Sequence, residues 1–138
     1  MRRDDADSVV APDTESLMVG ANLEGSHAYL LRVLAALGDH RVWERFQIRA
    51  VSSTLGLAWV ATGRHAAYLT EGDLRANVHF AAGVGLCRAA GCVVTDLDGE
   101  PVDTGQVAAP GRARGLLAAA DAATHAVLLE VARDALPG

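Results

Sequence analysis

The chain has 138 residues, 51% of them hydrophobic, and a formal net charge of −5. That is enough for one domain with a real core and too little for two ordinary ones. The acidic balance, without a basic stripe or polybasic tail, excludes a general nucleic-acid or anionic-membrane binder. All 12 basic residues are Arg, as a GC-rich genome would produce.

The opening Met1-Arg-Arg-Asp-Asp-Ala-Asp-Ser8 has no apolar stretch behind its arginines, so no secretory signal is expected. No apolar run approaches the ~18 residues a membrane span needs. Residues 1–14 are polar, hold Pro12 and read as a flexible lead-in to a single α/β domain over 15–138.

Ser16–Ala21 is a short apolar run and predicts a buried strand. Ser26 can cap a helix running to Leu37, with Tyr29, Leu30, Val33, Leu34 and Leu37 at helical spacing and Gly38 as the stop. Phe46–Val51 alternates as a strand does. Ser52 or Ser53 can cap a second helix, Leu55–Thr62, closed by Gly63, and Ala66–Thr70 is another strand. Asn77 is a suitable cap for a third helix, Val78–Ala90, ending at Gly91. Cys92–Thr95 reads as a strand, Asp96-Leu-Asp-Gly99 as a tight turn, and 98–114 as a loop rich in Gly, Pro and charge. Leu116–Ala120 is a last strand. Asp121 can cap a fourth helix to about Ala135, with Val127, Leu128, Val131, Ala132 and Leu136 on one face.

Strands and helices alternate, and several strands are continuous apolar runs suited to burial on both faces. The expected fold is a layered α/β domain of about five strands, mixed or mostly parallel, with about four helices. Cys87 and Cys92 lack CxxC spacing and a nearby His, so buried free thiols in a reducing cytoplasm fit better than a zinc site. His27, His65, His40 and His125 read as turn or surface residues. No P-loop, dinucleotide fingerprint or Gly-x-Ser-x-Gly motif occurs.

Several stretches carry a resemblance. Arg49-Ala-Val-Ser-Ser-Thr-Leu-Gly-Leu-Ala-Trp-Val-Ala-Thr-Gly-Arg64 is followed by Ala67-Tyr-Leu-Thr-Glu-Gly72, then by Val78-His-Phe-Ala-Ala-Gly83 with Ala90-Gly-Cys-Val-Val94 behind it. Gly115-Leu-Leu-Ala-Ala-Ala-Asp121 closes the series. In order and spacing these resemble the C-terminal half of the inositol monophosphatase family. Its members read Arg-x-x-Gly-Ser-Ala-Ala-Leu-Asp-Leu-Ala-Tyr-Val-Ala-x-Gly-Arg, Gly-Tyr-x-Glu-x-Gly, Trp-Asp-x-Ala-Ala-Gly and Gly-x-x-Ala-Ala-Asn. A complete member is about twice this length. Its N-terminal half supplies a Glu-Glu pair and an Asp-Pro-x-Asp-Gly-Thr loop, and neither motif occurs here.

The resemblance implies a site at the segments before the second and third helices. His79 stands where the family has its metal-binding Asp, with Val78 in place of the Trp. Imidazole is a poor Mg²⁺ ligand, so neither a metal nor another cofactor is expected. His79 and Glu71 are the catalytic candidates: a His near a helix start can serve as base near neutral pH, and Glu71 resembles a family acid that contacts substrate hydroxyls. Ser52, Ser53, Thr54, Arg75 and Asn77 are the candidates for holding an anionic ester. Capping, surface pairing and solvation are the plain alternatives for each. The expected function is one subunit of a two-chain phosphatase-fold enzyme of biosynthesis, a second chain covering the face of the missing half. The alternative is a non-catalytic module that binds a ligand or scaffolds a partner, with a homodimer as the other possible assembly.

Overall fold

A computed structural model describes residues 17–22, 27–50, 55–70, 78–102 and 115–135. Among them are the strands β1 (Met18–Asn22), β2 (Gln47–Ala50), β3 (Ala67–Thr70), β4 (Val93–Thr95) and β5 (Leu116–Ala119). The helices are α1 (His27–Leu37), α2 (His40–Trp43), α3 (Leu55–Ala61), α4 (Val78–Ala89) and α5 (Ala122–Asp134). The expected α/β class and five strands are present. Helix α2 is additional to the four expected. It lasts a single turn, too short for any periodicity, and Asp39 starts it by accepting a hydrogen bond from the Arg41 amide at 2.9 Å.

The strands form one sheet in the order β2-β1-β3-β5-β4. β1 runs parallel to β2 and β3, whereas β5 is antiparallel to both β3 and β4. Four strands therefore share a direction and β5 opposes them.

Alternation along the strands feeds two separate cores. Val19 and Ala21, Ala67 and Leu69, and Leu117 and Ala119 face α1, α2 and α5. Tyr68, Leu116 and Ala118 face α3 and α4, where Leu57, Val60, Phe80 and Val84 are buried. Each fully buried Leu or Val contributes roughly 1.5–3 kcal/mol against exposure.

Helix α1 corrects one expectation. Leu34, placed by spacing on the apolar face, is exposed, while Arg32 is buried beside Val33, Ala36 and Leu37. Arg32 is accommodated because its guanidinium is satisfied: Nε donates to the Ala132 carbonyl and Nη2 to the Leu97 carbonyl and Asp98 Oδ1, all at 2.8 Å. In α5 Leu128, Val131 and Ala132 of the expected face are buried and Val127 is half-buried, Leu136 lies outside the described residues, and Asp121 caps the Thr124 amide at 2.7 Å.

The predicted stops hold as well. Gly63 and Gly91 follow α3 and α4 with φ of 77° and 80°, the left-handed conformation that ends a helix at least cost in glycine. The expected caps Ser26, Ser52, Ser53 and Asn77, the lead-in 1–14 and most of the 98–114 loop lie outside the described residues.

Candidate functional site

Because β2, β1, β3 and β4 share a direction, their C-terminal ends line one edge of the sheet, where β5 begins. Connectivity sends the segments that carry the candidate residues out from this edge. Residues 51–54, with Ser52, Ser53 and Thr54, join the end of β2 to α3. Residues 71–77, with Glu71, Arg75 and Asn77, join the end of β3 to α4. β2 and β3 flank β1, so the two points of departure are about 10 Å apart at ordinary strand spacing. The chain reverses its direction of travel across the sheet here, stepping from β1 out to β2 and then back past β1 to β3. Open α/β sheets bind ligands at such a switch.

Ser52, Ser53, Thr54, Glu71, Arg75 and Asn77 lie outside the described residues. His79 is the second residue of α4, and its side chain also lies outside them. Their anchor points are thus brought to one edge, while the contacts of their side chains are not described.

The described part of this edge is closely packed. Thr70, the last residue of β3, is 1% exposed. A Cβ at Gly115 would come within 2.6 Å of the Thr70 carbonyl oxygen, so the start of β5 presses directly on the end of β3. Matched position by position to Gly-Tyr-x-Glu-x-Gly, the run Ala67–Gly72 places Thr70 under the Glu and Glu71 one residue later. Thr70 is not among the residues that the motifs single out, and the strand register, with Thr70 beside Asn22 and Leu116, brings it to this edge.

The turn Asp96–Gly99 is found as expected. Asp96 is buried, and its Oδ1 accepts from the Asp98 and Glu100 amides at 2.8 and 2.9 Å. Two histidines are buried, and for His125 this departs from the surface role expected of it. His125 is buried, with Nε2 at 2.8 Å from Thr95 Oγ1. His65 follows α3 as expected but is 4% exposed, its ring 4.9 Å from that of Trp59. Burial, with Arg133 and Arg49 respectively as nearby cations, lowers the pKa of both imidazoles.

Cys87 and Cys92 are both free and buried. The Cys87 thiol donates to the Leu57 carbonyl at 3.2 Å and is pushed far above the usual thiol range, by its hydrogen bond with Cys92 and then by burial. Such a thiol is inert as a nucleophile.

A scan against family models matches the inositol monophosphatase family over residues 8–136. The chain belongs to the inositol monophosphatase family. Solved structures agree on the fold. An inositol monophosphatase of Thermotoga maritima superposes with a TM-score of 0.66 at 18% identity, over 92% of this chain and 45% of that one. The extragenic suppressor protein SuhB of Bartonella henselae gives 0.66 at 22% identity, over 89% and 43%. A Pyrococcus horikoshii protein with similarities to inositol-1 monophosphatase gives 0.62 at 23% identity, over 88% and 43%. The chain therefore spans under half the length of these relatives. No curated protein matches it.

The family resemblance implies Mg²⁺, which needs hard oxygen ligands, several of them carboxylates in a two-metal site with ions roughly 4 Å apart. Among the described residues no group of three or more His, Cys, Asp or Glu is placed to hold a metal ion. Asp96, the carboxylate following β4 at this edge, spends Oδ1 on two backbone amides. The described donor set does not fit Mg²⁺. No helix among the described residues is long and apolar enough to cross a membrane.

Proposed function

We propose that this chain is one subunit of a two-chain, phosphatase-fold enzyme acting on a phosphate or sulfate ester in a biosynthetic pathway of the cytoplasm. The observation that carries this reading is the partial span. The five-stranded module and its site-bearing edge are present, yet the chain spans only 43–45% of the relatives named above. The motifs holding the family's other metal ligands do not occur in these 138 residues, and in this reading a second chain supplies the facing groups.

In this reading the ester's anionic group sits near Ser52, Ser53, Thr54, Arg75 and Asn77, before α3 and α4. Backbone amides at helix starts and hydroxyl donors favour an anion there. His79 and Glu71 then serve as the proton-handling pair. The paired free thiols support a reducing compartment.

The exchange of the metal-binding Asp for His79 favours a second reading, a non-catalytic module that binds a ligand or scaffolds a partner. One experiment separates the two: co-expression with the product of the adjacent gene, then assay of the complex on phosphate and sulfate esters. A stable complex whose ester turnover falls at least tenfold with His79→Ala or Glu71→Ala supports the subunit. Unchanged turnover in both variants, or a monodisperse chain with no co-purifying partner, overturns it.

A further inference from the structure

Helix α4 ends in a backbone pattern that folds its last turn against the strand that follows. The Gly91 amide donates to the Arg88 carbonyl at 3.0 Å, and the Cys92 amide donates to the Cys87 carbonyl at 2.8 Å. Gly91 between them is left-handed, with φ of 80°. These two bonds make a Schellman closure, in which the residues joined by the outer bond commonly meet through their side chains as well. Here those two residues are Cys87 and Cys92. A backbone hydrogen bond holds two chains roughly 5 Å apart, and Cα atoms across a disulfide stand about 4.4–6.8 Å apart.

The side chains converge as the backbone does. Both belong to the core under α3 and α4. Cys87 Sγ donates to the Leu57 carbonyl at 3.2 Å and Cys92 Sγ to the Val60 carbonyl at 3.8 Å, positions one turn apart on α3. The two thiols are also hydrogen-bonded to each other. Joining them removes both S–H donors, but the Val60 carbonyl keeps a donor in the Gly63 amide at 3.1 Å.

We propose that Cys87 and Cys92 are a redox site, which a low-molecular-weight disulfide oxidises to an intrachain disulfide stapling the end of α4 to the start of β4. Access sets the order of the two steps. Cys92 is 9% exposed and Cys87 fully buried. The Cys92 sulfur attacks one sulfur of the small disulfide, breaking its S–S bond, and the departing thiolate takes the Cys92 proton. The Cys87 sulfur then attacks the Cys92 sulfur and expels the second small thiolate, which takes the Cys87 proton. The chain loses two electrons and two protons, and the oxidant becomes two thiols. Cys87 is inert in the dithiol because the hydrogen bond with Cys92 is the first cause holding its proton, and the first step removes that cause. In a reducing compartment the dithiol is the resting form. The site shares no residue with the candidate ester site.

The test uses the folded chain without denaturant, incubated with oxidised glutathione, then denatured and alkylated for intact-mass measurement. The expected product is a monomer lighter by two hydrogen atoms, with no alkylated thiol and no retained glutathione, and dithiothreitol restores the starting mass. Cys87→Ala should stop at a glutathione adduct on Cys92, whereas Cys92→Ala should stay unmodified. Circular dichroism confirms that both variants are folded. The oxidised chain should melt about 4 °C or more above the reduced one. The proposal is overturned if both thiols still alkylate after an exposure that fully oxidises the same chain in urea. It is equally overturned if the wild type ends as a disulfide-linked dimer or a lasting glutathione adduct, or if the oxidised chain melts no higher than the reduced one.

Discussion

Two glycines inside helices show how a residue's neighbours set the sign of a substitution. Gly56 of α3 lies against the Tyr68 ring, and any Cβ there would collide with Cδ2 and Cε2. Gly85 of α4 has nothing within 4 Å of a would-be Cβ. Replacing Gly by Ala in a helix gains roughly 0.5–1 kcal/mol in propensity, whereas overpacking a core costs about 1–3 kcal/mol. Gly56→Ala is therefore expected to lower the urea midpoint and Gly85→Ala to raise it. Midpoints that move in the same direction would contradict this account.

The buried histidines give stability a pH dependence of known sign. His65 and His125 have pKa values lowered from 6.5 in the fold, so the unfolded chain binds protons that the folded one refuses. Their contribution is complete above about 6.5 and is lost as pH falls below it toward the folded values. The urea midpoint should drop between pH 7.5 and 5.5, above the window where carboxylates titrate. His125→Gln and His65→Gln should flatten that slope, and an identical slope in both would remove the histidines as its cause.

At the level of the elements, Arg32 ties three pieces together. Its bonds to the carbonyls of Ala132 and Leu97 join α1 to α5 and to the turn after β4. Asp98, its ionic partner, is 60% exposed and adds little, as exposed pairs do. Arg32→Ala removes the donors and leaves buried carbonyls short of partners, a loss of about 2–4 kcal/mol. Arg32→Lys should recover only part of it, because one ammonium cannot reproduce the planar fork. Equal melting temperatures for the wild type and Arg32→Ala would refute the role.

Arg32 also marks the limit of what periodicity reveals. Spacing located α1 and its Gly38 stop, but an apolar stripe cannot announce that a guanidinium with three acceptors displaces Leu34 from the core. The glycine stops, the Asp121 cap and the Asp96 turn were legible because each is a local device, complete within a few residues. His125 was not, since its partner Thr95 is 30 residues away.

At the scale of the whole molecule, sequence motifs and fold agree on an inositol monophosphatase-family module that spans under half of its relatives. The absent carboxylate motifs lead to an expected outcome: the purified chain alone hydrolyses no inositol monophosphate beyond background in Mg²⁺. Turnover by the isolated chain that a chelator abolishes would contradict it.

The placement of β5 governs how this sheet can assemble as the chain is made. β4 precedes β5 in the chain, yet among the described strands β5 is its only neighbour in the sheet. On the ribosome, the stretch from β1 to β3 can form its ladders in the order of synthesis. Val93–Thr95 must wait, unpaired and with Val93 and Val94 available to other edges, until Leu116–Ala119 emerges and inserts between it and β3. Any pause in translation between those segments lengthens the interval in which β4 is open to misassociation.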